Sequence, residues 1–355
     1  MKRLLAFGLA GLALIILAGA SLYFYPVESF LFRNMAKREI SKPVPVLAKP
    51  DQLSVLLCGT GSPLPDKDRG GPCTLIAAGG KYYLVDAGID AARNLRQWRV
   101  PLEKIQAVLL THFHSDHIGE LGEIRLQTWA SGRNKKLAVY GPPGVDRVVN
   151  GFNEAYALDA GYRTAHHGEK MLPSNAVDMV AKPVTLNGTT GIVLKEGGLT
   201  ITAIRVHHDP AKPAYGYRFD FGGRSIVVSG DTAPDEDLAR AAKGTDVLVH
   251  EALSPEMVGD IGAALAAHGD WRGAKIMHDI PPYHTSPVDA ARIANEAGAK
   301  LLVYSHVIPM LPNDLAERLF LHGVSGVRSS GVRLGQDGMV ITLTTGKNDI
   351  DVSKL

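Results

Sequence analysis

Thr111-His112-Phe113-His114-Ser115-Asp116-His117 is a stretch that holds four potential metal ligands within six residues. It follows an apolar strand candidate at residues 107–110 and precedes a helix candidate at 119–131. No helix or strand could point all four side chains into one core without leaving buried polar atoms unpaired, whereas a tight loop around cations satisfies them. A polar surface loop is the alternative, but this strand-loop-helix context is typical of a metal-binding turn.

Further metal-ligand candidates stand far along the chain, each after an apolar strand candidate. They are His208, Asp231 and His306. A polar group at the edge of a buried sheet costs free energy unless a metal or a hydrogen bond satisfies it. Taken singly, each could be a residue at the end of a strand whose polar atoms are hydrogen-bonded within the protein. His207 is an alternative to His208, because the spacing does not distinguish the two. Together with the loop, they predict a centre in which the two oxygens of Asp231 could bridge two ions.

An uncharged apolar run at residues 4–25 follows Lys2 and Arg3. As a helix it would extend about 33 Å, at about 1.5 Å per residue, enough to cross a bilayer. A cleaved signal peptide is the alternative, because Ala18 and Ala20 form an A-x-A-like site, but the run continues beyond them. We expect a membrane anchor or signal segment at 1–25, a linker at 26–51 and one catalytic domain at 52–355.

The basic residues before the run favour a cytoplasmic amino terminus. The sequence then predicts a membrane-anchored protein whose catalytic domain is extracytoplasmic, in the periplasm or outside the cell. Secretion is the alternative if the segment is cleaved.

Short apolar strand candidates alternate with helical stretches to the carboxyl terminus, which predicts a layered α/β or α+β domain. The clearest helix candidate is 287–297, with Ser286 as its cap and Gly298 at its end. Lys and Arg number 38 against 36 Asp and Glu, so the charge gives no strong nucleic-acid signal. The two cysteines, Cys58 and Cys73, allow one disulfide at most, and we expect both to be structural.

These motifs resemble the metallo-β-lactamase superfamily over residues 53–343, and within it the branch of ribonuclease Z and arylsulfatase-like hydrolases. The Thr-His-x-His-x-Asp-His stretch is the most specific motif, and Leu-Val-Asp-Ala-Gly at 84–88 resembles the motif whose aspartate orients the metal loop. The narrower branch is indicated by the segments at 59–63, 213–218, 229–232, 250–252, 283–287 and 305–306. The resemblance implies a four-layer αββα sandwich with two metals at one edge of two facing sheets.

The resemblance also implies the roles of individual residues. It assigns one ion to His112, His114, His208 and Asp231, and the other to Asp116, His117, Asp231 and His306. It favours His208 over His207 and implies two divalent ions, Zn²⁺ above Mn²⁺ or Fe²⁺. Asp116 is also expected to orient the attacking water, with His284 as general acid and Glu251 supporting it. A hydrogen bond to Ser286 is the structural alternative for His284.

The expected reaction is hydrolysis of a phosphodiester or sulfate ester in a small anionic substrate. Ribonuclease Z carries a long arm that grips tRNA, whereas the matching interval here, 219–229, has room for one hairpin only. Hydrolysis of a lactam, lactone or thioester is the alternative, and a metal-stabilised binding protein without activity is a third hypothesis. A homodimer is possible.

Two further segments were candidates for substrate contacts. Residues 129–191 provide no metal ligand and are expected to cap the cleft, either gripping an anion or forming a solvated helix face. The side chains concerned are Tyr156, Tyr162, Arg163, His166 and His167. The glycines at 59–63 could present backbone N–H groups to an anion, or simply form a tight turn.

Overall fold

The computed structural model describes residues 11–17, 19, 25–42, 47 and 49–355. The chain divides into two compact units, Met1–Val44 and Pro45–Leu355. The first unit contains helix α1 (Tyr25–Ile40), in which no side chain is buried. Most of the apolar run at 4–25 lies outside the described residues. Among those described, no helix combines the length and apolar character that crossing a bilayer requires.

The second unit contains two β-sheets. The described strands of the larger sheet are β1 (Gln52–Gly59), β2 (Cys73–Ala78), β3 (Lys81–Val85), β4 (Ile105–Leu109), β5 (Leu137–Gly141), β6 (Met179–Pro183), β14 (Met339–Thr344) and β15 (Asp351–Lys354). They lie in the order β15-β14-β1-β2-β3-β4-β5-β6. Pairs from β3 to β6 are parallel and the others antiparallel. Because β3 and β4 are parallel, their carboxyl ends meet at the same edge of the sheet.

The second sheet is built from the remaining strands. They are β7 (Thr190–Glu196), β8 (Leu199–Val206), β9 (Ala214–Phe221), β10 (Arg224–Val228), β11 (Val247–Leu253), β12 (Leu301–Ile308) and β13 (Val332–Leu334). Their order is β13-β12-β11-β10-β9-β8-β7, parallel from β10 to β13. The parallel strands again place several carboxyl ends at one edge, and these ends carry Asp231, Glu251 and His306 close together.

Helices cover the outer faces of both sheets. They are α2 (Ala91–Gln97), α3 (Ser115–Ile118), α4 (Leu121–Ala130), α5 (Val145–Ala155), α6 (Ala157–His167), α7 (Glu236–Ala241), α8 (Pro255–Ala267), α9 (Trp271–Asp279), α10 (Pro287–Glu296), α11 (Asp314–Phe320) and α12 (Val324–Val327), with 3-10 turns at Leu102–Lys104, Ser174–Ala176 and Pro281–Tyr283. Helix α10 begins as predicted, since Ser286 Oγ accepts the Asp289 N–H at 3.1 Å and Pro287 holds its first position.

The core follows from the two-residue period of the strands, which sends successive side chains to opposite faces. Leu53, Val55 and Leu57 of β1 point into the cluster between the two sheets. Leu56 and Cys58 point to the opposite face and pack in the cluster beneath α2 and α4. A third cluster joins the second sheet to α7 and α10. The layers are therefore helix, sheet, sheet, helix, which fits the predicted αββα sandwich.

Cys58 and Cys73, expected to be structural, form a disulfide that joins β1 to β2. Both are buried. Neither can serve as a metal ligand in this state, so the metal chemistry rests on imidazole and carboxylate groups.

A buried ion pair ties β10 to the segment before β11. Asp246 Oδ2 accepts hydrogen bonds from Arg224 Nε at 3.0 Å and from the Ser225 N–H at 2.9 Å, and Oδ1 accepts from Lys300 Nζ at 2.8 Å. Burial alone would raise the pKa of Asp246, but these hydrogen bonds outweigh it and hold the pKa below its ordinary value. The carboxylate is therefore stabilised in its charged form by folding.

We expect Asp246→Ala to lower the free energy of unfolding by about 3 kcal/mol, because it leaves the Arg224 guanidinium buried without its counter-ion. Urea denaturation at pH 7 measures the change. Asp220→Ala is the matched control, since Asp220 pairs with Arg218 in a half-exposed position and its loss should cost under about 1 kcal/mol. The contribution of Asp246 should be complete above the ordinary carboxyl pKa of about 4 and lost as the pH falls through the lowered folded-state pKa. Equal losses of unfolding free energy in the two variants would contradict the role of Asp246 as the counter-ion of a buried Arg224.

Candidate metal centre

Asp86 organises the histidine-rich loop. It lies just after β3, and its Oδ1 accepts the Thr111 N–H at 2.8 Å. Its Oδ2 accepts from the Thr111 hydroxyl and from His117 Nδ1, each at 2.8 Å. One buried carboxylate thus fixes both ends of the loop and determines which nitrogen of His117 is left to face the centre.

The first donor group consists of His112, His114, His208 and Asp231. His114 Nδ1 lies 3.0 Å from His112 Nε2 and 3.3 Å from His208 Nε2. Asp231 Oδ2 lies 3.9 Å from each of those Nε2 atoms. Metal–ligand bonds of about 2.1 Å put neighbouring donor atoms roughly 3 to 4 Å apart, so these side chains could hold one divalent ion such as zinc.

The second donor group consists of Asp116, His117, His306 and again Asp231. His117 Nε2 lies 3.5 Å from Asp116 Oδ2 and 3.2 Å from Asp231 Oδ2. His306 Nε2 lies 3.3 Å and 3.2 Å from the same two oxygens. Asp231 Oδ2 is therefore common to both groups, so this carboxylate could contact an ion at either of them.

The hydrogen-bond chemistry of the rings supports a metal at each group. His208 Nδ1 must carry a hydrogen, since its partner at 3.0 Å is the Tyr283 carbonyl oxygen. In the neutral ring, Nε2 then presents a lone pair to Asp231 Oδ2 at 3.9 Å, which can only accept. Such acceptor-to-acceptor contacts are unfavourable unless a cation lies between them. The residues present therefore fit the divalent ions that the fold implies.

Burial prepares several ligands for metal binding. It lowers the pKa of His208 to about 4, and it also lowers the pKa values of His112 and His114. These rings are therefore neutral at physiological pH, the form that coordinates metals. For His117, burial opposes the charged form, but the Asp231 and Asp86 carboxylates outweigh it and raise the pKa, so a metal at this position must displace a proton.

His207 and His208 differ in burial and in the side chains that they contact. The His208 side chain is buried in the first donor group. The His207 side chain is largely exposed, and its Nδ1 pairs with Asp235 Oδ2 at 2.6 Å. His207 is thus directed away from the metal centre.

His284 and Glu251 form a buried pair beside both donor groups. His284 Nδ1 lies 3.0 Å from Glu251 Oε1, which also accepts the N–H groups of Thr232 and Thr285 at 3.1 Å each. Burial raises the pKa of Glu251, with the Asp231 charge adding to it, and lowers the pKa of His284. Both shifts favour the uncharged groups, with a single proton between Nδ1 and Oε1. Ser286 caps α10 and His284 pairs with Glu251, so the alternative in which His284 hydrogen-bonds Ser286 is not observed.

His114 is the exposed member of the donor groups, and among the described residues it lines two clefts. The first, of about 420 Å³, we call the α9 cleft. Its apolar wall consists of Leu64, Ile276, Met277, Ile280, Tyr283 and Ile308. The second, of about 380 Å³, we call the proline cleft, and besides His112 and His114 it is lined by Phe113, Pro143 and residues 210–213.

The side chains of 156–167 that were candidates for gripping an anion line neither cleft among the described residues. Tyr156 donates from its hydroxyl to Glu123 at 3.3 Å, and Arg163 pairs with Asp159 at 2.7 Å. Tyr162 and the two histidines at 166 and 167 are exposed on α6. Tyr162, His166 and His167 thus lie on a solvated helix face, and Pro143 is the residue of 129–191 that lines a cleft at the metal centre.

The glycine-rich turn at 59–63 is explained by packing rather than by an anion. The Thr60 N–H donates to Asp337 Oδ1 at 2.9 Å and the Gly61 N–H to the Gly70 carbonyl at 2.8 Å, so neither is available to a ligand. A Cβ at Gly59 would lie 1.8 Å from the Gly71 oxygen. The close approach of two backbone segments therefore requires glycine there.

Comparison with known proteins gives consistent results. Residues 81–307 match the model of the family described as "Beta-lactamase superfamily domain". The chain is 36% identical over 263 residues to "Ribonuclease Z" of Mycobacterium bovis, covering 73% of this chain and 87% of that protein. It is 35% identical to "Ribonuclease Z" of Mycobacterium marinum over 73% of this chain and 88% of that one.

Solved structures share the fold at lower identity. The metallo-β-lactamase fold protein YhfI from Bacillus subtilis superposes with a TM-score of 0.58 at 22% identity, over 82% of this chain and all of that one. The short form of human tRNase Z also gives 0.58, at 18% identity, over 83% of this chain and all of that one. At these identities the likeness establishes the fold.

The comparisons correct one prediction. The prediction of a membrane-anchored or secreted protein with an extracytoplasmic catalytic domain is wrong, because the relatives that the chain matches are ribonuclease Z enzymes. The apolar run at 4–25 therefore carries no argument about where the protein acts.

The motif in the histidine-rich loop, the layered sheets and the matched relatives agree. The family match covers the segment from β3 to β12 that supplies every residue of both donor groups. The chain belongs to the metallo-β-lactamase superfamily, in its ribonuclease Z branch, and is a metal-dependent hydrolase.

Proposed function

We propose that this chain hydrolyses phosphodiester bonds in RNA with two metal ions, Zn²⁺ being the preferred ion. The observation that carries the proposal is that two four-donor groups share Asp231 Oδ2 and lie beside the His284–Glu251 pair. The similarity to ribonuclease Z supports the expected phosphodiester, and it favours RNA over a small anionic ester as the substrate that contains it. The relatives give no support to a sulfate ester.

When bound, the metal pair lowers the pKa of a water molecule and neutralises charge that develops on the phosphoryl oxygens. The Asp116 carboxylate, in the second donor group, can accept a hydrogen bond from the attacking water and hold it in line. Asp231 keeps the two groups at a fixed separation. The protein thus contributes orientation of the nucleophile and a preorganised site for negative charge.

The leaving oxygen needs a proton, and His284 is placed to give it. Glu251 holds Nδ1 of the ring, so Nε2 is the atom left to donate. The ring lies 5.6 Å from that of His306 and 5.2 Å from that of His208, centroid to centroid, and so borders both donor groups. As Nε2 gives up its proton, the neutral Glu251 carboxyl passes its own proton to Nδ1, so the ring stays neutral and Glu251 is left as a carboxylate. The pair then takes up one proton from solvent before the next turnover.

A small phosphodiester is the second candidate substrate. The turn between β9 and β10 consists of Gly222 and Gly223 only, whereas ribonuclease Z is expected to carry its RNA-gripping arm in this interval. A chain that lacks such an arm needs other contacts to hold a long RNA. Comparing the two substrate sizes on one preparation distinguishes the candidates.

We expect the purified protein to bind two transition-metal ions and to hydrolyse both bis(p-nitrophenyl) phosphate and a 3′-extended RNA. Removing metal with EDTA should reduce both activities at least about 100-fold, because the ions supply several kcal/mol of transition-state stabilisation, and Zn²⁺ should restore them. Elemental analysis and initial rates measure the two effects.

Other substrate classes serve as controls for this experiment. Rates with p-nitrophenyl sulfate, a lactam and a thioester should remain near background. Faster turnover of an acyl substrate would favour the lactam, lactone or thioester hypothesis. Bound metal without hydrolysis of any substrate would favour a binding protein.

A further inference from the structure

The α9 cleft begins at the proposed general acid. His284 lines it together with Tyr283, Ile280 and Ile276. Because the leaving oxygen must lie within hydrogen-bond reach of His284, the rest of the leaving group must continue into this cleft. Its volume, about 420 Å³, is in the range of sites that enclose small organic groups.

Charge distinguishes the two clefts. None of the described residues that line the α9 cleft is Lys or Arg, whereas Lys212, which pairs with the exposed Asp209 at 2.7 Å, lines the proline cleft. A further phosphate on the leaving-group side would therefore meet an apolar wall and no counter-ion. The α9 cleft suits the uncharged part of one nucleoside, and the phosphate chain fits the proline-cleft side.

Tyr283 gives this wall an aromatic surface in a fixed position. Its carbonyl accepts the hydrogen of His208 Nδ1 at 3.0 Å, so its backbone is tied to a metal ligand. Its ring lies edge-to-face against His208 at 5.1 Å and tilted against His284 at 5.0 Å. The ring is half-buried, and its remaining surface lines the cleft.

We propose that Tyr283, with Ile276 and Ile280, binds the base of the leaving-group nucleoside by stacking and apolar contact. The inference rests on the proposed phosphodiester hydrolysis and adds which side of the scissile bond is recognised and by what. Bases present a flat π-face whatever their identity, so this recognition requires a base but tolerates its sequence.

The test uses three RNA oligonucleotides that share one scissile bond. One is intact, one lacks the base of the leaving-group nucleotide, and one lacks the base on the phosphate-bearing side. The products show which fragment keeps the phosphate and so identify the leaving side. We expect removal of the leaving-side base to lower kcat/KM about tenfold or more, mainly through KM, because stacking is worth about 1–3 kcal/mol per base.

Variants then assign the effect to Tyr283. Tyr283→Ala should lower the ratio of the rate on the intact substrate to the rate on the leaving-side abasic one several-fold, because the stacking contribution of the ring is lost. Tyr283→Phe should retain the preference, because the ring is kept. Ile280→Ala should weaken it independently. Tyr162→Ala, a change of an exposed tyrosine on α6, is the matched control and should retain it.

The inference is overturned if the wild-type protein cleaves the intact and leaving-side abasic RNAs equally, or if the Tyr283 and Tyr162 variants keep the same preference. A larger effect of the phosphate-side base would also overturn it. These outcomes differ from failure of the proposed function, in which no phosphodiester is hydrolysed by the metal-loaded protein.

Discussion

Replacing Asp231 by alanine should leave at most one tightly bound metal ion per chain and lower kcat/KM for phosphodiester hydrolysis by at least about 1000-fold. Oδ2 of this residue is the atom that both donor groups share, at 3.2 Å from His117 Nε2 and from His306 Nε2. Its loss opens both coordination shells together and removes the charge that offsets two cations. Elemental analysis and steady-state rates measure the two effects on the same sample.

The neighbouring pair of histidines provides the controls. His208→Ala should weaken metal binding at the first donor group, whereas His207→Ala should retain both ions and full activity, since His207 pairs with Asp235 away from the centre. Retention of two ions by Asp231→Ala would show that the groups do not share this carboxylate. Metal loss in His207→Ala would contradict the assignment of the first group.

The loop of the metal centre could be predicted because its chemistry is local. Four ligand-type side chains in six residues admit few structures that satisfy them, and the strand before and the helix after are short-range features. The distant ligands followed from a similar rule, since each stands where a buried strand ends. The strand expected at 199–206 is β8, with the same bounds.

His306 shows where that rule reaches its limit. The sequence places it after a strand at 301–304, but β12 continues to Ile308. His306 has φ +46° at a register shift between β11 and β12. An irregularity of this kind turns a side chain out of the sheet's alternation and is not encoded in hydrophobic periodicity. The sequence predicts His306 as a ligand, but it does not predict the backbone feature that directs the side chain.

The clefts could not be predicted, because tertiary packing alone decides which amphipathic helix borders the metals. Aromatic and basic side chains at 156–167 resembled a substrate-binding surface, yet they lie on a solvated helix. Nothing in the sequence marks Ile276 or Ile280 for contact with a substrate, yet they line the α9 cleft. Apolar residues on one face of a helix predict that this face is buried, but the sequence does not indicate whether protein or a substrate covers it.

Replacing His284 by alanine should slow hydrolysis in proportion to how much the leaving group needs a proton. With an RNA substrate, whose leaving group is an alkoxide, we expect a loss of about 100- to 10000-fold in kcat, the usual contribution of general acid catalysis. With bis(p-nitrophenyl) phosphate the loss should be under about tenfold, because p-nitrophenolate departs without protonation. Parallel kcat measurements on the two substrates give the ratio directly.

Glu251→Gln separates the positioning role from the acid itself. Glutamine keeps the shape and the acceptor at Oε1 but cannot transfer a proton to His284 Nδ1. Glu251→Gln should therefore slow RNA hydrolysis more than hydrolysis of bis(p-nitrophenyl) phosphate, as His284→Ala does, but by a smaller factor. His278→Ala, a change of an exposed histidine on α9 that pairs with Asp279, should alter neither substrate. A His284 variant that keeps both metals yet slows both substrates equally would assign this side chain to substrate positioning. Only a selective loss on the poor leaving group is the behaviour of a proton donor, since metal ligation and packing affect both esters alike.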